Sequence, residues 1–376
     1  MPPHPGNRAC TELEILMNTS AATLAFDDTK AEAFADRLVG ALGDAAMALM
    51  LSLGHRTGLF DALATVSPTT SDALAEGTGL AKRYVREWLA TMVTSGVVDY
   101  DAAIRQYTLP AEHAAFLTRA SVPDNIAVTA QFIGVAASVE EEMLERFQSG
   151  EGLQYGHFER FHEVMAEDSA QLIVAALQDH ILPIVPGIVA RLNDGIDVVD
   201  VGCGAGRALM QLASAFPRSR FLGVDICADA FAETQIEVAR RALSNLQFEA
   251  RDLSDVDTLG EFDLVTAFDA VHDQKDPAAL LAMVHRSLRS GGVFLMQDIG
   301  GSRNLEKNLD NPFATLLYTI SLMHCTPISI GQGGPGLGTF WGVETAQEML
   351  RSAGFSEIET HELPHDPINA YFVARS

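Results

Sequence analysis

From about Ala31 to Val66, apolar residues recur three and four positions apart: Phe34, Leu38, Val39 and Leu42, then a run from Ala46 to Leu53. That spacing predicts helix throughout. TTSDALAEGTGL follows as a short capped helix ending at Gly77 and Gly79. AKRYVREWLATMVTSGVV predicts a second helix, stopped by Ser95 and Gly96. VVDYDAAIRQYTLP then alternates like a two-stranded ribbon, closed by Pro110. Residues 121–192 carry helical spacing throughout, with Pro183 and Pro186 breaking it into pieces. After Asp197 the texture changes. Short apolar runs (IDVVDVG, RFLGVDI, LQFEARD, DLVTAFD, GVFLMQDI) alternate with helical stretches. This predicts an α/β domain over 193–376 with a doubly wound parallel sheet. TAQEMLRSAGF is a further helix, and SEIETHEL and INAYFVAR are strands placed to close that sheet with an antiparallel pair. Residues 1–30 read as a poorly ordered lead-in, and Met17 as an alternative start.

Helix, turn, helix and ribbon over 31–120 make a winged helix-turn-helix pattern. Lys82, Arg83 and Arg86 would lie on its recognition helix, but Asp72, Glu76, Glu87, Asp99 and Asp101 surround them. The whole chain of 376 residues carries a formal charge of −25. Such a surface opposes binding to nucleic acid phosphates and anionic lipid, so neither is an expected partner. Cys10, Cys203, Cys227 and Cys325 form no CxxC pair and read as free thiols of a cytoplasmic protein. No signal peptide and no apolar run of membrane-spanning length is read from the sequence.

The chemistry concentrates in VVDVGCGAGRAL, residues 198–209. A strand, a glycine turn and a helix present free N–H groups to a ligand. A nucleoside triphosphate loop would need GxxxxGK[ST], which is missing here. A dinucleotide fold wants GxGxxG, whereas Gly202, Gly204 and Gly206 are spaced GxGxG and Arg207 stands where the last glycine belongs. S-adenosylmethionine is the third candidate. Glycines allow backbone to approach its amino acid tail. Asp200 suits its ammonium group and would repel a pyrophosphate. Asp225, closing FLGVDI, can accept both ribose hydroxyls. Asp252, in FEARDL, can face the adenine edge.

VVDVGCGAG, FLGVDI, FEARDL, FDLVTAFDAVHD and LRSGGVFLMQD, in that order, resemble the motif series of class I S-adenosylmethionine-dependent methyltransferases over roughly residues 196–376. LGHRTGLFDAL through the ribbon is similar to the domain that precedes it in small-molecule O-methyltransferases and bacterial winged-helix methyltransferases. The resemblance implies a seven-stranded Rossmann-like sheet behind a mostly helical winged-helix domain that mediates homodimerisation. It implies S-adenosylmethionine as cofactor, with Ile226, Leu253, Phe268 and Asp269 joining the residues above around it. The acceptor is expected to be small and hydroxylated or aromatic.

His272 lies where the O-methyltransferase pattern places its catalytic histidine, here in HDQ rather than HDW, so Gln274 replaces an aromatic residue. A neutral imidazole can take a hydroxyl proton near pH 7. Asp273 or Asp269 would orient it. Glu344 falls where the family often carries an assisting acid, though a first-turn helix acid fits equally. FERFHEVM resembles the pocket-lining helix, offering Phe158, Phe161, His162 and Met165; core packing fits the same spacing. ISIGQGGPGLGTFWG reads as a mobile flap. His157/His162 and His361/His365 are wrongly spaced or placed for ligation, and no metal is expected. Two rivals stay open: a nicotinamide-dependent oxidoreductase, and a winged-helix regulator that binds the cofactor without turnover.

Overall fold

The computed structural model describes residues 26–376. Most of the lead-in expected over 1–30, with Met17 and Cys10, lies outside the described residues. Residues up to Ala46 and residues from Met47 form two compact units. Helix Asp28–Thr57 starts in the first unit and continues into the second, and it begins earlier than the apolar spacing indicated. Asp27 caps it, its carboxylate accepting from the Lys30 amide at 3.1 Å. Phe34, Leu38 and Leu42 stand exposed along it at four-residue intervals. The expectation of no membrane-length apolar stretch is corrected here. This helix is long and apolar enough to cross a bilayer, a test that a signal sequence or a core helix also passes.

In the second unit, helices Leu59–Val66, Ser71–Thr78 and Lys82–Thr94 precede a hairpin of β1 (Asp99–Asp101) and β2 (Gln106–Thr108). Thr70 caps Ser71–Thr78 by accepting from the Ala73 amide, and Gly79 ends it at φ 70°. Phe60, Leu63, Leu74, Val85, Leu89 and Met92 form the core. Trp88 packs edge-on to Phe60 and donates its indole N–H to the Met50 carbonyl at 2.8 Å. Two of the three basic residues of the recognition-helix position have acidic neighbours. Arg83 pairs with Glu87, and Arg86 lies 3.6 Å from Asp72.

The sheet comprises β3 (Asp197–Val201), β4 (Arg220–Asp225), β5 (Leu246–Ala250), β6 (Phe262–Phe268), β7 (Leu288–Ile299), β8 (Glu357–Leu363) and β9 (Asp366–Arg375). Their order is β5-β4-β3-β6-β7-β9-β8. The first five are parallel, and β9 runs antiparallel to both its neighbours. Successive side chains alternate between two cores. Val198, Leu264 and Leu295 join Leu209 and Leu212 on one face. Val199, Val265 and Phe294 join Leu281 and Val284 on the other. Burial on both faces is why these strands read as continuous apolar runs. The strand order reverses at β3, which opens a crevice outside the carboxyl ends of β3 and β6.

Candidate active site

Every parallel strand ends at one cavity. It is lined by 200–208 from the end of β3, Asp225 and Ile226 at the end of β4, 251–253 after β5, 268–270 and 272–275 from the end of β6 and Ile299 at the end of β7. The glycine turn is held against β4, since the Gly202 and Cys203 amides both donate to the Val224 carbonyl. Asp225 shapes it further: Oδ2 accepts from the Gly204 amide at 2.9 Å and Oδ1 from the Cys227 amide at 2.8 Å.

The three glycines serve different ends. All have positive φ (70°, 51° and 67°). A Cβ on Gly202 would meet the Ala270 methyl at 2.5 Å, and one on Gly206 the Phe248 ring at 2.3 Å. Gly204 alone has open space where a Cβ would stand, so it leaves room for a ligand. Gly206→Ala combines left-handed strain with overpacking and is expected to cost about 2–4 kcal/mol. Thermal unfolding would register a fall of several degrees in Tm; an unchanged Tm would contradict the Phe248 contact.

Asp200 is buried, and its Oδ1 accepts from the Thr266 hydroxyl at 2.6 Å. Burial, with the neighbouring Asp225 charge, pushes it up to about 7 despite that hydrogen bond. Burial likewise pushes Asp269 to about 7 and Asp168 to about 6. Asp273, also raised by burial, and the rim residue Asp252 line the same cavity. A space walled by this many carboxyl groups favours a cationic occupant and opposes a polyphosphate. Asp252 caps its own turn, accepting from the Ser254 amide at 2.9 Å.

His272 is 2% exposed, and its Nδ1 lies 2.8 Å from Asp298 Oδ1. That corrects the expected partner: Asp269 is 3.7 Å away, and Asp273 instead accepts from the Tyr155 hydroxyl at 2.8 Å. Pairing of Phe268 with Gln297 carries Asp298 to the imidazole. Asp298 Oδ1 also accepts from the Ile299 amide at 2.8 Å and the Trp341 indole at 3.1 Å. Burial alone would lower the affinity of His272 for its proton. The Asp298 carboxylate and the adjoining Cys325 together outweigh burial, and the ring is raised well above the ordinary imidazole value. With Nδ1 committed to Asp298, Nε2 is the nitrogen left for proton exchange. Asp269 takes φ 53°, a strained backbone for a residue other than glycine, at the same corner. Ligand atoms of Asp269, His272 and Asp298 lie within 4.8 Å of one another, a spacing open to a cation. Asp298 Oδ1 already receives three N–H groups, while Asp298 Oδ2 and Asp269 Oδ1 are buried with no hydrogen-bond partner.

Three further expectations change. Glu344 is not at this site: it accepts from the Ser302 hydroxyl at 2.7 Å and the Lys307 ammonium at 3.1 Å, in the first turn of helix Gly342–Ala353. Phe161, His162 and Met165 line the cavity, but Phe158 is buried behind it. The segment read as a flap starts inside helix Thr326–Gly331 and is tied down, Ser329 Oγ donating to the Gln274 carbonyl and accepting from the Gly336 amide, both at 3.1 Å. Tyr155, Asp298, His324 and, except as a free thiol, Cys325 had not been singled out. Only Asp298 carried a readable signal, an acid closing an apolar strand as Asp200 and Asp225 do.

Residues 45–119 match a family model described as an Rv2258c-like winged HTH domain, and residues 192–354 one described as a methyltransferase domain. Over 100 residues the chain is 38% identical to the trans-aconitate 2-methyltransferase of Deinococcus radiodurans, covering 27% of this chain and 36% of that protein. The chain spans about two fifths of the length of the curated relatives it matches. Human N-acetylserotonin methyltransferase in complex with SAM superposes with a TM-score of 0.65 at 17% identity, over 94% of this chain and 99% of that one. Mitomycin 7-O-methyltransferase superposes at 0.62 with 19% identity, over 93% and 100%. At these identities the structural likeness shows the fold alone.

Proposed function

The chain joins a winged helix-turn-helix domain to a methyltransferase domain, and from that premise we propose that it moves the methyl group of S-adenosylmethionine to a hydroxyl on a small aromatic molecule. One observation carries the reading. A single cavity has the glycine turn and its acids on one side and a buried His272–Asp298 pair with aromatic walls on the other. When bound, S-adenosylmethionine supplies a methyl group already activated by a sulfonium.

In this reading Asp225 accepts the ribose hydroxyls with lone pairs its two amide contacts leave free. Asp200, Gly202, Gly204 and Gly206 take the amino acid tail. Ile226, Asp252, Leu253, Phe268 and Asp269 surround the remainder. His272 removes the acceptor's proton through Nε2 while Asp298 holds its orientation, and Phe161, His162, Met165 and Tyr155 clasp the acceptor's ring and exclude water.

The cavity's chemistry also separates acceptor classes. Trans-aconitate, named for several relatives, is a tricarboxylate and would want a cationic clamp. Here the acceptor wall is aromatic and acidic, and Arg207 directs Nη1 to the Ala166 carbonyl at 3.0 Å. Arg251 and Lys275, exposed residues in the loops after β5 and β6, also line the cavity, beside Asp252 and Gln274 rather than among the aromatic side chains. The paired charges on helix Lys82–Thr94 and the apolar row Phe34, Leu38 and Leu42 support homodimerisation as the role of the N-terminal part.

Incubation with methyl-tritiated S-adenosylmethionine and a panel of phenols, arylamines and trans-aconitate tests this reading. Label is expected in phenol ethers, from a protein sedimenting at twice 40.4 kDa. Label confined to trans-aconitate, or in no acceptor, would overturn it.

A further inference from the structure

His324 lines the same cavity, is 3% exposed, and neither of its ring nitrogens has a hydrogen-bond partner. Leaving one buried polar group unpaired costs about 1–3 kcal/mol. Aromatic rings surround it. Phe161 stacks on it with centroids 3.6 Å apart and planes 18° apart, and Phe158 meets it edge-on at 4.6 Å. Phe158, behind the cavity, and Phe161, in its wall, thus fix the imidazole plane at the acceptor's side.

We propose that His324 recognises a second polar group on the acceptor, so that the favoured molecule is an aromatic ring bearing two hydrogen-bonding substituents, one toward His272 and one toward His324. This rests on the aromatic-acceptor reading above. The chemistry of the imidazole suits the task. Burial, reinforced by His272 and His162, lowers it to about 3. It is therefore neutral at working pH and offers one donor and one acceptor, which matches a hydroxyl or carbonyl rather than an anion. His272, held by Asp298, is tuned in the opposite direction. Two of the three imidazoles lining the cavity thus have distinct duties, one exchanging a proton and the other selecting the ring's substitution.

The test uses the full chain labelled with ¹⁵N-histidine and ¹³C-methyl methionine, saturated with S-adenosylhomocysteine. Catechol, phenol and toluene are the probes. The Met165 methyl resonance reports occupancy of the cavity, and the ring nitrogens of His324 report the contact. Catechol is expected to move both, and toluene only Met165. Catechol is expected to bind roughly tenfold more tightly than phenol. His324→Phe, which keeps the stacking, brings that ratio to about one, and His324→Asn restores part of it. Met165 responding to catechol while the His324 nitrogens stay silent would overturn the proposal and leave the aromatic-acceptor reading standing. Met165 unmoved by every probe would overturn both. Should the Phe variant fail to fold, the wild-type resonances alone decide.

Discussion

His272→Ala lowers kcat by roughly 10²–10⁴-fold on a phenolic acceptor, the range for loss of a positioned general base. Its affinity for S-adenosylmethionine stays within about twofold, because His272 bonds Asp298 rather than the glycine turn. The pH profile sharpens the expectation. Asp298 raises His272 well above the ordinary imidazole value, so the imidazole is protonated near neutrality and the base form grows as pH rises. Wild-type kcat/KM therefore climbs on the alkaline side and levels off above the raised value. Asp298→Asn removes the carboxylate that favours the charged ring, so the inflection moves to lower pH and the plateau falls. Linkage has a matching sign. The pair's contribution to folding is complete below the unfolded histidine's pKa and is lost as pH rises through the folded one. Stopped assays across pH on the three proteins check this. Full turnover by the alanine variant would remove His272 from the chemistry.

Asp225→Ala weakens S-adenosylmethionine binding by roughly 10²-fold, the loss of two charge-assisted hydrogen bonds. The carboxylate has a second duty here. It receives the Gly204 and Cys227 amides, so removing it also frees the glycine turn that would hold the amino acid tail. Asp225→Asn keeps one acceptor oxygen and is expected to fall between wild type and alanine. Calorimetric titration with circular dichroism as a fold check reads both. Unaltered affinity in a folded alanine variant would contradict the ribose assignment.

The sheet was legible because both its faces are buried. Runs such as VVDV and VTAF carry that burial openly, and β3 and β6 end where their apolar runs stop. The acids after β3 and β4 were legible for the same reason, since an aspartate closing a buried strand breaks the pattern. Asp298 obeys this rule, yet nearness along the chain favoured Asp269 and Asp273 as the partners of His272. What decides is strand pairing, which joins residues 26 positions apart in the sequence. The acceptor wall was the least legible part. Helical spacing marks Phe158 and Phe161 alike, and it cannot tell a side chain facing a cavity from one facing core. Beyond Ser169 the chain continues in wide π-helical turns over 170–174 and 177–181, which no breaker residue announces. His324 lies in another such turn, Ser321–Cys325. Glu344 was misplaced because a first-turn acid satisfies the helix dipole wherever the helix points.

A crystal structure of the full chain grown with S-adenosylmethionine tests the central claim most directly. The expected density puts both ribose hydroxyls within hydrogen-bond distance of the Asp225 carboxylate and the amino acid tail over Gly204. Adenosine lodged anywhere else, or a glycine turn still bare at saturating ligand, would contradict the account.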